Sequence, residues 1–483
     1  MSSILLIYPQ TTLMDRARAG VAPPFSLLAV VRLLPSSVDV KILDQRTDHK
    51  FWQDIERELS DNPLLVGISA IAGPQLKWAL KVTEKIKELN PKAKVILGGP
   101  FSTVVGHIVS AQKSVDAVVA GEGEETLKEL VESLGKSDDL SAIKGLWMKK
   151  DEQASYTGSR TLIALDSLPF VSYKLFETRH LYKTNGRLTA YFETSRGCPF
   201  GCTFCYHSIY KNPWRAASSQ WTLNALEHLL TESPNIKHLL VVDDNYLHDR
   251  ARAMAIAEGA IARGWDITYQ VQARLDELAN FTDDELKVLR AGGLVRFDIG
   301  VETVSERLWK VVGKAADRQF LLEQTERLSS MDFIIGANFM VGLPTETNKD
   351  VLLNAKTVID MTALSSRAVV APIYTYYPYP GSKLYQLALN QGLKPLESLD
   401  DLGSMSWRDA PSPWLSTEQK KLLKNLYFYS LFVDQKLLFF RKGIIIKMAI
   451  ALLMPIARWR VKRLFFKFPI ERWIFELLFG KDY

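Results

Sequence analysis

Gly197-Cys198-Pro199-Phe200-Gly201-Cys202-Thr203-Phe204-Cys205 is the stretch whose reading decides the fold. It holds all three cysteines of a 483-residue chain. Three is an odd number and all lie in one short loop, so a disulfide framework is excluded. The spacing is C-x3-C-x2-C, with an aromatic residue, Phe204, before the third cysteine. Thiolates are soft ligands that select iron–sulfur clusters or zinc. Structural zinc asks for four closed ligands, commonly in two C-x2-C-like pairs. His207 could be a fourth zinc ligand, but it is cramped two residues past Cys205. Three thiolates on a 4Fe–4S cube would instead leave one iron without a protein ligand.

Around this loop the pattern is repetitive. Tyr191–Ser195 reads as a strand feeding it. Further strands are expected at His238–Val242, Ile267–Gln272, Leu294–Ile299, Ile334–Val341 and Ala368–Tyr374, with helical patterns between. The cysteine motif resembles the signature of the radical S-adenosylmethionine enzymes, and the likeness runs over about Leu188 to Tyr385. The resemblance implies an open (β/α)6 barrel and a 4Fe–4S cluster on Cys198, Cys202 and Cys205. It also implies S-adenosylmethionine chelated to the open iron, with Phe204 on the cofactor side. Reductive cleavage of the bound sulfonium would give a 5′-deoxyadenosyl radical. The electron would come from a flavodoxin- or ferredoxin-type donor.

Barrel enzymes place catalytic groups in loops at strand carboxyl ends. After the second strand comes Asp243-Asp244-Asn245, where many family members carry Gly-Gly-Glu. Asp243 or Asp244 is the expected acceptor for the methionine amino group; a helix cap is the alternative. Arg274 ends the third strand and can pair with a carboxylate. Glu302 ends the fourth as a ribose or amino contact, or as a first-turn helix carboxylate. Gly342 lies in the adenine-side turn after the fifth, and Pro378-Tyr379-Pro380-Gly381-Ser382 closes the sixth. Tyr206 and His207 are the catalytic candidates beside the cluster. Tyr210, Trp214 and Arg215 could also touch substrate, or serve only as core and rim.

The first 135 residues carry a different alternation. Strands are expected at Ile4–Tyr8, Val38–Leu43, Leu64–Ser69, Lys94–Leu97 and Ala117–Ala120, with helices such as Pro74–Leu89 and Glu124–Leu134. This pattern predicts a doubly wound parallel sheet. Such sheets bind ligands beyond the carboxyl ends of their strands. Gly67-Ile68-Ser69, Gly98-Gly99-Pro100 and Gly121-Glu122-Gly123-Glu124 lie there, without a dinucleotide or phosphate-loop fingerprint. With Pro23-Pro24-Phe25-Ser26-Leu27-Leu28, they resemble the Rossmann-like cobalamin-binding domain of one branch of the same enzymes. The resemblance implies cobalamin near Ser69, Gly98, Gly99, Gly121 and Glu122. The D-x-H-x-x-G loop of other cobalamin proteins is absent, and His49 reads as a solvated loop residue. No histidine is expected beneath the cobalt.

The organisation is thus 1–135 cobalamin-binding, 136–187 linker, 188–390 radical S-adenosylmethionine domain and 391–483 helical C-terminal extension. Charge divides unevenly. From Arg441 to Tyr483 there are ten Lys/Arg against three Asp/Glu, leaving the rest of the chain near neutral within the total of +6. A near-neutral body without a base-stacking pattern makes nucleic acid an unexpected partner. Basic residues interleaved with Trp, Phe and Leu over 458–467 point to an amphipathic helix on an anionic membrane surface. The alternative is a helix packed on the barrel. No targeting signal opens the chain, and a cytoplasmic location is expected, with peripheral contact at the inner membrane face.

The cobalamin branch implies methylation of an unactivated carbon, with a small hydrophobic, lipid- or pigment-like substrate. The other reading is oxidative cyclisation or hydroxylation, as in the anaerobic cyclase of the magnesium-porphyrin pathway. A non-catalytic corrinoid or Fe–S sensor is a third.

Overall fold

The computed structural model describes residues 3–11, 20–71, 73–134, 136, 139–151, 153–210, 213–370, 373–404, 410–434 and 444–479. Residues 441–443 and 480–483, the two ends of the basic tail, lie outside them.

Apolar β-branched runs build the first sheet. β1 (Ser3–Tyr8), β2 (Asp39–Asp44), β3 (Leu65–Ser69), β4 (Val95–Gly98) and β5 (Ala117–Val119) are parallel. β6 (Leu146–Lys150) and β7 (Gln153–Tyr156) follow antiparallel. The order β2-β1-β3-β4-β5-β6-β7 is the flavodoxin-like winding with a hairpin added at one edge. That hairpin falls in the segment read as a linker, so the sheet draws strands from beyond residue 135. Helices cover both faces. Pro74–Leu89 starts with proline at its first turn after Gly73, whose φ of +80° suits glycine.

The second sheet supplies the barrel. After the short β8 (Lys183–Thr184) come β9 (Arg187–Phe192), β12 (Ile236–Val241) and β13 (Thr268–Ala273), while β10 (Ser195–Arg196) and β11 (Arg215–Ala216) form a separate two-stranded antiparallel pair. β14 (Leu294–Glu302), β15 (Ile334–Val341), β16 (Ala368–Val370) and β17 (Tyr374–Thr375) complete the barrel sheet. β9, β12, β13, β14, β15 and β16 pair in parallel in that order. Among the described residues no pairing closes the ring, so the sheet is an open half-barrel. The expected sixth strand divides into β16 and β17, both on β15. Helices between the strands are capped by their own sequence. Thr282 with Glu285, and Thr347 with Asp350, form reciprocal capping boxes.

The two sheets share a core. Apolar residues of the first sheet and its helices, among them Val66, Leu97 and Phe101, form one cluster with Leu308, Leu343 and Leu384 of the barrel. The helix Leu399–Ser404 packs on Pro74–Leu89, so the C-terminal extension returns to the first domain. The helices Thr417–Ser430 and Ile444–Arg463 instead cover the barrel side, burying Leu426, Phe428, Ala457 and Val461. No helix among the described residues is long and apolar enough to cross a membrane.

Candidate functional site

The cysteine loop leaves β10 and ends at the short helix His207–Tyr210. All three thiols are free and partly buried. The loop is held from below. Thr203 N–H donates to Val312 O at 3.0 Å, and Thr203 Oγ1 to Val311 O at 2.5 Å. Leu384 N–H in turn donates to Thr203 O at 2.9 Å. Gly313, at φ +67°, ends the helix Glu306–Val312 directly against the loop; a Cβ there would lie 3.2 Å from Gly201 O. Burial pushes the Cys205 thiol up to about 12 and raises Cys198 as well. Thiolates there need positive charge beside them, which iron supplies. Among the described residues no three His, Cys, Asp or Glu side chains converge as on one metal ion. A cluster asks for less, since each thiolate binds a different iron. The donor set therefore fits an iron–sulfur cluster.

The structure separates Asp243 from Asp244. Asp243 is fully buried and accepts from Thr194 N–H at 2.7 Å, Thr194 Oγ1 at 2.5 Å and Ser195 Oγ at 2.6 Å. Burial pushes its carboxyl up against the pull of those donors. It ties the end of β12 to the strand that feeds the cysteines, and its oxygens are occupied. Asp244 faces the loop itself. Its Oδ2 accepts from Gly197 N–H at 3.2 Å, and Oδ1 lies 2.8 Å from His207 Nε2. His207 is half-stacked on Tyr206, with ring centroids 4.2 Å apart.

Arg274 reaches the loop from β13. Its guanidinium lies 3.7 Å over the Phe200 ring, and Nη1 is 3.7 Å from Cys202 Sγ. Asp276 holds the other edge at 3.0 and 2.8 Å. Glu302 sits at a register shift of β14 with φ +62°, a strained region for a side chain of this size. Its carboxylate is 3.3 Å from Lys314 Nζ, and both residues are partly buried. Lys314 follows Gly313 and was not singled out by the sequence; only its place after that glycine turn could have flagged it. Gly342 also turns at positive φ, +77°, but the space over its α-carbon is taken by Leu423, Thr375 and Leu415. Trp414 Nε1 donates to Gly342 O at 3.0 Å. Phe204 packs into the shared apolar cluster. Trp214 donates to Asn245 O at 3.2 Å and abuts the His248 ring.

At the carboxyl edge of the first sheet the glycines differ. Gly121 (φ +85°) faces open space, and a Cβ on Gly98 would meet only Val119 at 3.8 Å. A Cβ on Gly99 would instead strike Ala70 O at 2.4 Å, so this glycine serves the turn. Ser69 Oγ pairs with Ser26 Oγ at 2.9 Å. Open backbone at Gly121 and Gly98, on a flavodoxin-like edge, fits the flat face of a corrinoid.

Glu122 and Glu124 do something sequence did not suggest. Glu122 pairs with Arg215 and, at 3.2 Å, with Arg196. Glu124 Oε1 is 2.5 Å from Arg196 Nη2 and 2.8 Å from Arg32 Nη2. Arg196 and Arg32 also reach Glu193, at 2.9 and 3.1 Å. Burial would raise the Glu124 carboxyl, but Arg196 and Arg32 outweigh it and hold it at about 2. Arg196 and Arg215 flank the cysteine loop on either side. The clamp therefore turns the carboxyl edges of the two sheets toward each other. Phe101 of the first domain meets Tyr379 of the closing segment at 6.4 Å, and Tyr379 lies beside Cys205.

Comparison with known proteins agrees with this geometry. Residues 12–131 match the B12 binding domain, and residues 192–357 match the Radical SAM superfamily. An uncharacterized methyltransferase of Pyrococcus horikoshii is 28% identical over 466 residues, covering 93% of this chain and 97% of that protein. An anaerobic magnesium-protoporphyrin IX monomethyl ester cyclase of Cereibacter sphaeroides is 25% identical over 399 residues, covering 79% of this chain and 63% of the relative. The cobalamin-dependent S-adenosylmethionine radical enzyme OxsB shares the fold. The TM-score is 0.75 at 15% identity, over 99% of this chain and 75% of that one. A B12-binding domain clamped edge to edge onto a radical S-adenosylmethionine half-barrel defines the class. The chain belongs to the cobalamin-dependent radical S-adenosylmethionine enzymes. Its cofactors are cobalamin, S-adenosylmethionine and a 4Fe–4S cluster. Its reaction requires an electron donor and a substrate.

Proposed function

We propose that this enzyme transfers a methyl group to an unactivated carbon of a hydrophobic, lipid- or pigment-like substrate. The observation that carries the reading is the Glu122/Glu124–Arg196/Arg215 clamp, in which Glu124 is buried and the others are partly buried. It sets the open backbone of Gly121 and the cysteine loop on the same inter-domain face. The near full-length likeness to a relative named as a methyltransferase supports it. When bound, the three cofactors supply a carbon-centred radical and a transferable methyl group.

Cys198, Cys202 and Cys205 hold the cluster. Asp244 and Arg274 flank it, one anionic and one cationic, and suit the amino and carboxylate ends of a methionine group. Lys314 and Glu302 extend that polar wall. Tyr206 and His207 continue the Asp244 side, with His207 against the carboxylate and Tyr206 against the His207 ring. Aromatic rings of Phe101, Phe200, Trp214 and Tyr379 surround the same region, which suits an apolar substrate and excludes water from a radical. Within this chain no cysteine is left over for a methylated-thiol intermediate. A flavodoxin- or ferredoxin-type protein supplies the electron, and the hydrophobic substrate is taken from a membrane face.

The second reading, oxidative cyclisation or hydroxylation, is favoured by the likeness to the protoporphyrin ester cyclase. Methyl-labelled S-adenosylmethionine distinguishes them when given to the reconstituted enzyme with lipid and pigment extracts. Methylation puts the label into a product heavier by one CH2. A product that loses hydrogen or gains oxygen, without label, would replace this reading by the second.

A further inference from the structure

Seventeen large apolar side chains remain exposed among the described residues, and ten of them fall between Met448 and Leu477. They are not scattered. Met448, Leu452, Ile456 and Trp459 repeat at helical spacing along one side of Ile444–Arg463. Ala457 and Val461, on the opposite side, are buried against the barrel's helices. The last helix, Ile470–Phe479, repeats the arrangement. Ile470, Trp473, Ile474 and Leu477 are exposed, while Phe475 packs on Phe428. Leu452 is 72% exposed and Leu477 85%, far beyond what an isolated surface residue explains. Phe465 and Phe468 continue the apolar surface between the two helices.

The exposed charges at this face are basic, because Glu471 and Glu476 of the last helix are paired with Arg460 and Arg472. No Asp or Glu occurs from Ile444 to Ile470. The basic residues divide into two groups. Arg460 is buried on Glu471 and the carbonyls of Phe465 and Phe468; Arg458 donates to Val433 O, and Arg472 to Asn425. These are structural. Lys462, Arg463 and Lys467 are exposed, and Arg463 lies over the Trp459 ring. On the helix wheel Lys462 and Arg463 border the apolar stripe rather than oppose it.

We infer that the exposed sides of Ile444–Arg463 and Ile470–Phe479 form a docking face for an anionic lipid bilayer. The two apolar stripes enter the headgroup boundary, and Lys462, Arg463 and Lys467 contact lipid phosphates. Trp459 and Trp473 sit at the depth that indole rings favour. The face lies on the bilayer and does not span it. The inference deepens the proposed use of a hydrophobic substrate by naming where it is met, and rests on that reading only for its purpose.

The test uses the full chain and flotation with vesicles, read without turnover, so that it stands or fails separately from methylation. Wild type is expected to float with phosphatidylcholine–phosphatidylglycerol vesicles, to bind phosphatidylcholine alone far more weakly, and to be released by high salt. The triple variant K462E/R463E/K467E is expected to lose about 100-fold or more in partitioning. L452S/W473S/L477S is expected to lose at least about 10-fold. Unchanged thermal unfolding shows that each variant keeps its fold, and the salt titration of wild type needs no variant at all. Equal binding to neutral vesicles, or binding insensitive to both triple variants, would overturn the proposal. So would a dimer in analytical ultracentrifugation that L452S/W473S/L477S abolishes, since a second copy would then be the occupant.

Discussion

At the residue scale, neighbours in sequence part company in the site. Asp243 and Asp244 alternate about the end of β12. One points inward to Thr194 and Ser195, the other outward to Gly197 and His207. Composition could not tell them apart, because a strand end turns adjacent side chains to opposite faces. Asp243→Ala leaves three donors without an acceptor and is expected to cost about 2–4 kcal/mol of stability, measured by thermal unfolding. Asp244→Ala is expected to leave unfolding nearly unchanged and to lower 5′-deoxyadenosine formation about 10-fold or more. Equal effects of the two on stability would show that the division of roles is wrong. The cysteine spacing was fully legible, since its chemistry is local. Lys314 was not, because its partner Glu302 is brought to it only by the turn at Gly313.

Elements account for the next level. The strands predicted at Ile334–Val341 and the helices at Pro74–Leu89 and Glu124–Leu134 appear with those limits, because apolar periodicity and glycine or proline ends agree there. β6 and β7 lie in the stretch read only as a linker; Lys149 and Lys150 interrupt the apolar pattern where they approach the tip of an edge hairpin. The amphipathic helix is expected over 458–467, whereas the structure has two helices, Ile444–Arg463 and Ile470–Phe479. They are apolar on two sides, one packed on the barrel and one exposed, so no single stripe stands out in the sequence. The helix Glu306–Val312 is the element on which the cysteine loop rests. Gly313→Val must hold positive φ and crowd Gly201 O, at about 1–3 kcal/mol. Reduced cluster retention after reconstitution, read as iron per chain, is the expected result. Full iron content would show that the loop does not depend on this seat.

The whole molecule is organised by the clamp between its two sheets. Its pairs join residues 93 and 72 positions apart, a proximity that no local pattern can reveal. Glu124 is ionised in the fold with a carboxyl held at about 2, below the ordinary 4.5. A lowered folded-state value gives stability that is present above about pH 4.5 and lost as pH falls toward 2. The stability difference between wild type and Glu124→Gln is therefore expected to reach up to about 3 kcal/mol above pH 5 and to shrink below pH 4.5. A difference independent of pH would remove the ionic account of the clamp. The first domain, the half-barrel and their cofactors were legible as separate pieces; their edge-to-edge apposition was not.

That apposition matters because it joins radical generation to methyl supply. The direct measurement is product analysis from S-adenosylmethionine, made anaerobically with the reconstituted enzyme, a reductant and a lipid and pigment extract. The account expects 5′-deoxyadenosine and S-adenosylhomocysteine to accumulate together. Formation of 5′-deoxyadenosine without S-adenosylhomocysteine would contradict it.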